Sequence, residues 1–392
     1  MKKLTLYFGP LLVSSLVMII SQLDQSYYEI FWKFFNVPPQ WPPFSDLDAI
    51  SKAVDSKLAG YDPYIKNPFD LKGMLYVYPS IWLKFFEIFN LNVSLNFKIF
   101  NFIIIYFYCL VYFDLSLKIN NKFFYIISLV MFFSSANMLA IERLNIELII
   151  FIFIYYLSIS KKNYIKIPIF ILAIYAKLYP LFAVFIFCRN KKILFTMILA
   201  SFLVLFSIRD EILMLIANGN EVALNIAYGV PTLTKGIWYY STKFEYFINS
   251  ENYNLFKNSM IFLASIYALI IVLYNFKFRD KTIFNNFSIE EKLFISGAGI
   301  FIGRFLTASN VDYSLIFLLF TIPYYLKLEN FNLKLILISM ILFIFFGALF
   351  EFGDRYTIEY ALRATLIHSL KIIVFSFMCY FFGKVLNNHL KL

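Results

Sequence analysis

The chain of 392 residues is 61% hydrophobic and only 15% charged, with a formal net charge of +11. A soluble domain has about 45–50% apolar and about 25% charged residues, so the composition excludes a soluble protein and predicts an all-α polytopic membrane protein. Basic residues in such proteins concentrate in cytoplasmic loops and set the orientation, so the positive charge does not indicate nucleic acid as a partner.

Long apolar runs predict the membrane spans, because about 20 apolar residues cross the hydrocarbon core as a helix. The first run follows Met-Lys-Lys and lacks a small-residue cleavage pattern, so we expect an uncleaved helix and not a signal peptide. About ten spans are predicted in one domain over residues 1–392, near 4–22, 98–117, 122–140, 146–160, 192–208, 258–276, 292–306, 312–327, 332–350 and 364–383.

Basic clusters predict the orientation in an integral plasma (inner) membrane, with both termini cytoplasmic. The loops 23–97 and 209–257 would then lie on the outer, periplasmic face, and the active site with them. This topology requires 167–188 to enter and leave on one side, as two half-helices that meet near Lys177 and Pro180. The alternative is one helix with a proline kink, which would place later basic clusters outside.

The loop 23–97 contains a predicted amphipathic helix. Ser45 and Asp48 have the spacing of a capping box, which predicts that the helix begins there. Gly60 then stands in the usual position after a C-terminus. The pattern predicts a helix on the outer membrane surface, with an apolar stripe formed by Leu47, Ile50, Val54 and Leu58.

Asp46 falls in the first turn of this helix, where the partial positive charge of the helix end favours an ionised carboxylate. A transferase that moves a sugar onto a hydroxyl needs a carboxylate to take the acceptor proton, and one suffices for a single inverting displacement. The alternative is that Asp46 only caps the helix. The nearby candidates for substrate contact are Asp48, Tyr61, Asp62 and Tyr64.

Charged residues in or beside spans are candidates for binding a donor phosphate, because charge within a membrane is costly without a partner. The guanidinium of Arg143 suits phosphate oxygens, although it could instead pair with Glu142 or Glu147. Lys177 could likewise bind either the phosphate or Glu147. The candidates for binding the donor phosphate are Lys177, Arg143, Tyr179 and Arg304. Further candidates for substrate contact are Glu142, Asn145 and Asp312. Arg304 and Asp312 could likewise serve either the phosphate or an ion pair.

Neither cysteine nor histidine spacing predicts a metal site or a disulfide framework. We expect no cofactor, although a divalent metal stays open. Asp46 and Asp48 would have to face such a metal together, and residues two apart on a helix do not share a face.

Short blocks in the chain resemble the polyprenyl-phosphate-dependent membrane glycosyltransferases of the GT-C fold. Asp46 is followed fourteen residues later by the start of Gly-Tyr-Asp-Pro-Tyr at 60–64. The chain most resembles the GT87 family, which includes bacterial polyprenyl-phosphate-mannose-dependent mannosyltransferases, and its DUF2029-like relatives. Similar blocks follow in the same order, at YVYPSIWL (76–83), ERLNIEL (142–148), AKLYP (176–180) and SNVDYSLIFLLF (309–320).

The resemblance implies an inverting transfer of a mannose-like hexose or a pentose from a polyprenyl-phosphate donor to a lipid or glycan acceptor. Asp46 would be the base, and Lys177 and Arg143 would lie at the donor phosphate. Leu144 stands where relatives often have glycine, and Glu147 where an aspartate is frequent, which leaves the geometry of this block open. The expected partners are the donor, the acceptor and membrane lipids, and the expected state is a monomer.

A transporter or flippase for a lipid-linked saccharide is the rival hypothesis, since it would also need buried cations for phosphate. It predicts inverted repeats, which the sequence lacks, and has no need of a long outer loop at 23–97. A polymerase or ligase of lipid-linked saccharides is the nearer alternative. It would use arginine and histidine in outer loops, and the outer loops here have no histidine apart from His368 near one edge.

Overall fold

The computed structural model describes residues 2–218, 226–243, 252–277, 287–307, 309–347 and 358–390, and the regular secondary structure within them is helical apart from one short β-ladder. The helices are α1 (Lys2–Ile20), α2 (Gln25–Phe34), α3 (Ser45–Leu58), α4 (Ser80–Ile88), α5 (Ser94–Lys118), α6 (Lys122–Phe132), α7 (Ser135–Arg143), α8 (Glu147–Ile159), α9 (Asn163–Ala176), α10 (Lys191–Ser207), α11 (Arg209–Asn218), α12 (Val230–Lys243), α13 (Tyr253–Lys277), α14 (Ile289–Thr307), α15 (Ile322–Leu326), α16 (Phe331–Phe345) and α17 (Ile358–Leu390). Two 3-10 helices cover Tyr179–Phe187 and Asp312–Thr321, and the strands are β1 (Ala227–Tyr228) and β2 (Asn310–Val311).

The chain divides into two compact units. Unit 1 comprises Met1–Phe133, Asn137–Leu181 and Thr196–Asn220. Unit 2 comprises Ser134–Ala136, Phe182–Phe195 and Glu221–Leu392. The single domain expected over residues 1–392 stays a prediction.

The number of candidate spans is smaller than the sequence predicts. Within the described residues, three helices are long and apolar enough to cross a membrane: Ser94–Lys118, Tyr253–Phe276 and Leu362–Leu390. The count rises to five if each of two bent pairs is one span, with bends of 55° between α6 and α7 and 67° between α10 and α11. The prediction of about ten spans is therefore wrong, while the helical, membrane-compatible character is confirmed.

The difference arises because several predicted spans are short helices or change helix type along their length. The run predicted as one span at 312–327 is a 3-10 helix, Asp312–Thr321, followed by the five-residue helix α15. The run at 146–160 forms the 13-residue helix α8, and 332–350 contains the 15-residue helix α16. These helices are shorter than the roughly 20 residues that cross a bilayer, and hydropathy alone cannot locate such helix ends.

The predicted helix in the loop 23–97 is confirmed as Ser45–Leu58, and Gly60 follows it with a φ of +87°. The capping box is wrong. Phe44 occupies the N-cap with a φ of 63°, and no side chain caps the helix. The Ser45 hydroxyl instead donates to Gln40 Oε1 at 2.8 Å.

The apolar stripe of α3 faces protein. Leu47, Ile50 and Val54 are fully buried, and α3 packs against α4. Only Leu58, at the end of the stripe, is exposed, at 61%. The buried part of the stripe is therefore unavailable to the membrane surface on which the sequence places it.

Two further segments were predicted as loops or breaks. The predicted break in 167–188 is confirmed: α9 ends at Ala176, Lys177 is extended, and the 3-10 helix begins at Tyr179. Entry and exit on one side stay a prediction. The described part of the segment 209–257 is largely helical, because α11, α12 and the start of α13 lie in it.

In unit 1, α5 packs against α1, α6 and α8, and α9 packs against α8 and α4. The short turn between α7 and α8 presents the polar residues of the ERLNIEL block. Leu144 in this turn has a φ of 46°, which is the left-handed region that glycine adopts most easily.

In unit 2, α14 packs against the 3-10 helix Asp312–Thr321 and against α17. Close approach requires glycine at Gly297, where an added Cβ would lie 2.6 Å from the backbone oxygen of Phe317. Strands β1 and β2 pair antiparallel in the same unit, with Ala227 opposite Val311.

Candidate functional site

A cleft in unit 1 contains Asp46. Its volume is about 210 Å³, and residues of 40–49 and 67–78 line it. This is smaller than the roughly 300–1,000 Å³ of typical small-molecule pockets, so it fits part of a substrate only. The polar and aromatic lining residues are Gln40, Trp41, Ser45, Asp46, Asp48, Asn67, Asp70, Lys72, Tyr76 and Tyr78.

The carboxylate of Asp46 is held by an amide. Asn145 Nδ2 donates to Asp46 Oδ2 at 2.5 Å. Asn145 Oδ1 accepts from the backbone N–H of Glu147 at 3.0 Å and from Lys177 Nζ at 3.4 Å. The two N–H donors at the amide oxygen fix the direction of the side chain, so its NH₂ group points at Asp46.

Lys177 and Tyr179 meet Glu147 in the same unit. Lys177 Nζ lies 2.8 Å from Glu147 Oε1, and the Tyr179 hydroxyl donates to Glu147 Oε2. Glu147 is fully buried, while the Lys177 side chain keeps 22% exposure. The ion pair that the sequence left open as an alternative to phosphate is thus present. The structure brings Asp46, Asn145, Lys177, Glu147 and Tyr179 into one connected network.

Arg143 makes the other ion pair that the sequence left open. Its Nε lies 2.9 Å from Glu142 Oε2, while Nη1 donates to Ser45 Oγ and Nη2 to the carbonyl of Pro38. Glu142 also accepts from the Tyr28 hydroxyl at 2.9 Å and from the backbone N–H of Gln40 at 2.8 Å. These contacts hold the start of α3 and its preceding segment against α7.

The Gly60 to Tyr64 block lies beside the cleft, and its side chains do not line it. Asp62 Oδ1 accepts from the backbone N–H of Tyr64 at 3.0 Å, which is a local turn contact. The Tyr61 ring is exposed and lies under Lys66. The Tyr64 hydroxyl donates to the carbonyl of Tyr78 at 2.9 Å, so it supports a lining residue through its backbone. Substrate contact by these residues stays a prediction.

Asp48 lines the cleft together with Asp46, because both lie in the first turn of α3 where the helix opens onto the cleft. Burial raises the pKa of the Asp48 carboxyl; Lys52 opposes this shift, and Asp70 and Asp55 add to it. No group of three or more His, Cys, Asp or Glu within the described ranges could hold a metal ion. All three cysteines are free and buried.

Arg304 and Asp312 belong to unit 2. Arg304 Nε donates to Asn310 Oδ1 at 2.6 Å, and the Asn310 amide donates back to the Arg304 carbonyl at 2.8 Å. Asp312 pairs with Lys371 at 2.9 Å, and both side chains are almost fully buried. Lys371 also donates to the carbonyl of Ala227 in β1. These contacts join α14, α17 and the ladder within unit 2.

Sequence reasoning missed three of these partners. A lysine in the middle of the predicted span 364–383 is itself a signal of a buried acidic partner, and it could have identified Lys371. No local pattern in the sequence relates Tyr28 or Gln40 to Glu142, because more than 100 residues separate them.

Comparisons with known proteins add no assignment: no family model, no curated protein and no solved structure matches the chain.

Proposed function

We propose that the chain is a membrane-embedded glycosyltransferase that moves a sugar from a polyprenyl-phosphate donor to an acceptor hydroxyl, with inversion. The observation that carries the proposal is the Asp46 carboxylate, which lines an accessible cleft and is oriented by Asn145, whose amide also contacts the cation Lys177. The resemblance to the GT-C fold and the GT87 family supports the same function.

The chemistry needs one base and one stabilised leaving group. The acceptor oxygen attacks the anomeric carbon while Asp46 takes the hydroxyl proton. The bond between that carbon and the phosphate oxygen breaks, and its electron pair leaves with the lipid phosphate, which needs no proton. Lys177 would contact this phosphate as its charge grows, with Tyr179 beside it. No metal ion is required for these steps.

Arg143 is assigned a positioning role in this proposal. Its three donor nitrogens contact Glu142, Ser45 and Pro38, so it supports the helix that carries Asp46. Arg304 and Asp312, which lie in unit 2, are assigned no step in this proposal.

A transfer assay with radiolabelled polyprenyl-phosphate mannose, glucose or arabinose and a membrane glycolipid extract tests the proposal. We expect wild type to form a labelled product and Asp46→Asn to lose about 100-fold or more of the rate. Asp55→Asn is the matched control, since Asp55 lies on the same helix α3 and does not line the cleft, and it should keep most of the activity. An Asp46→Asn enzyme at the wild-type rate would show that the base is assigned wrongly.

A flippase for a lipid-linked saccharide is the second candidate, and the two bent helix pairs favour it, since broken helices are common in transporters. Movement of labelled donor between liposome leaflets, with no product from any donor, would support this candidate and reduce Asp46 to a helix-end acid.

A further inference from the structure

Helix α11 (Arg209–Asn218) has two opposed faces. Successive residues in a helix are about 100° apart around its axis, so Glu211 and Asn218 lie on one side. By the same count Leu213 and Ile216 lie on the other side, about 180° away. The contacts of each face indicate a different partner.

The first face of α11 holds one wall of the cleft. Glu211 accepts from the backbone N–H of Ser80 at 2.5 Å and from its hydroxyl at 2.8 Å, which satisfies a free donor at the start of α4. Asn218 Nδ2 donates to the carbonyl of Tyr64 at 2.6 Å. Tyr64 in turn donates to the carbonyl of Tyr78, which lines the cleft.

The second face of α11 is apolar and uncovered. Leu213 is 63% exposed and Ile216 is 72% exposed. Arg209 lies on the same side of the helix by the 100° count, at the bend of 67° that separates α11 from α10. The uncovered apolar surface continues from α10, where Leu199, Phe202, Leu203 and Phe206 are also exposed.

We propose that α11 lies in the interface of the lipid bilayer and ties the wall of the cleft to the membrane surface. Leu213 and Ile216 would enter the boundary between headgroups and acyl chains, as the apolar faces of interfacial helices do. Arg209 would contact anionic headgroups. The occupant is a lipid surface because this apolar face continues that of α10, and the bend turns α11 away from the axis of α10.

Depth measurements by spin-label EPR test this proposal on the full chain in liposomes of phosphatidylcholine and phosphatidylglycerol. Labels at Leu213→Cys and Ile216→Cys should collide with oxygen more and with a water-soluble nickel chelate less than a label at Asp210→Cys. They should lie shallower than a label at Phe202→Cys in α10. Depths equal to Phe202→Cys, or nickel access equal to Asp210→Cys, would overturn the interfacial position.

Hydrogen exchange tests the connection to the cleft. In the same liposomes, the variant Leu213→Glu/Ile216→Glu should raise the exchange rate of the Ser80 amide severalfold, because Glu211 loses its fixed position. Leu58→Glu is the matched control, since Leu58 is equally exposed at the end of α3. Unchanged exchange at Ser80 would overturn the connection. Neither measurement depends on sugar transfer, so the inference stands or fails apart from the proposed function.

Discussion

At the scale of single residues, the buried carboxylates of Glu142 and Glu147 in unit 1 lie in ion pairs. Glu142 and Glu147 are fully buried, and each has a cation within 2.9 Å. A buried carboxylate without such a partner is strongly unfavourable, so removal of either cation should destabilise the fold whatever further role these pairs have. For a residue that both stabilises the fold and contacts substrate, protein stability and substrate binding must be measured separately.

The pair of Lys177 and Glu147 gives the first prediction. Lys177→Met leaves the buried carboxylate with the Tyr179 hydroxyl and without its cation. Because Lys177 keeps 22% exposure, we expect a loss at the lower end of about 3–5 kcal/mol in the free energy of unfolding. Adding Glu147→Leu should recover part of this loss. Denaturation in detergent measures both variants, and strictly additive losses would contradict the coupling of the pair.

At the scale of elements, α3 shows how one predicted stripe divides between core and surface. Its spacing is that of an amphipathic helix, yet three of its four apolar residues are covered by protein. By contrast, the apolar side chains of Leu213 and Ile216 in α11 of the same unit are exposed. Hydrophobic spacing identifies a face, whereas its partner depends on the neighbours that the fold supplies.

The stripe of α3 gives the second prediction. Val54→Ala should lower the free energy of unfolding by about 1–3 kcal/mol, because buried methyl groups are lost and a cavity remains. Leu58→Ala removes more carbon atoms from the same stripe. It should nevertheless change stability by less than about 0.5 kcal/mol, since Leu58 is 61% exposed. Thermal unfolding of both variants in detergent checks this order, and the reverse order would contradict the burial of α3.

The packing of α14 gives the third prediction. Gly297→Ala would place a Cβ 2.6 Å from the Phe317 carbonyl oxygen, so we expect a loss of about 1–3 kcal/mol in the free energy of unfolding. Gly236→Ala in α12 is the matched control, because nothing lies within 4 Å of an added Cβ there. That change should stabilise the protein by about 0.5–1 kcal/mol. Equal melting temperatures for both variants would contradict the close approach at Gly297.

At the scale of the whole molecule, orientation in the membrane decides which substrates reach the cleft. The basic residues Lys118 and Lys122 flank the turn between α5 and α6, which the positive-inside rule assigns to the cytoplasm. The cleft would then face outward. Lipid-linked donors would approach it from the outer leaflet, as the proposed function requires.

Cysteine labelling gives the fourth prediction. Lys66→Cys, near the cleft, should react with a membrane-impermeant maleimide in intact cells. Lys122→Cys should react only after permeabilisation, because it would face the cytoplasm. The three native cysteines are buried and should give little background. The opposite labelling pattern would place the cleft inside and rule out an outer-face transferase.

The sequence by itself determined the properties that depend on composition and local spacing. It predicted a helical membrane-compatible chain, the limits of α3, the end of a helix near Lys177, and Asp46 in the first turn of α3. The membrane character and α3 follow from apolar content, from i to i+4 spacing and from a glycine near a helix end, which act over a few residues. The break at Lys177 follows from Lys177 and Pro180 within an apolar run, together with the charges of the loops.

Only the tertiary structure decided the features that join distant residues. Asn145 reaches Asp46 across 99 positions, and Lys371 reaches Asp312 across 59. The number of spans also depended on where helices bend, which packing decides and hydropathy does not. Leu144 is a further example. Its φ lies in the left-handed region that glycine adopts most easily, and its side chain is fully buried by neighbours that no local sequence pattern identifies.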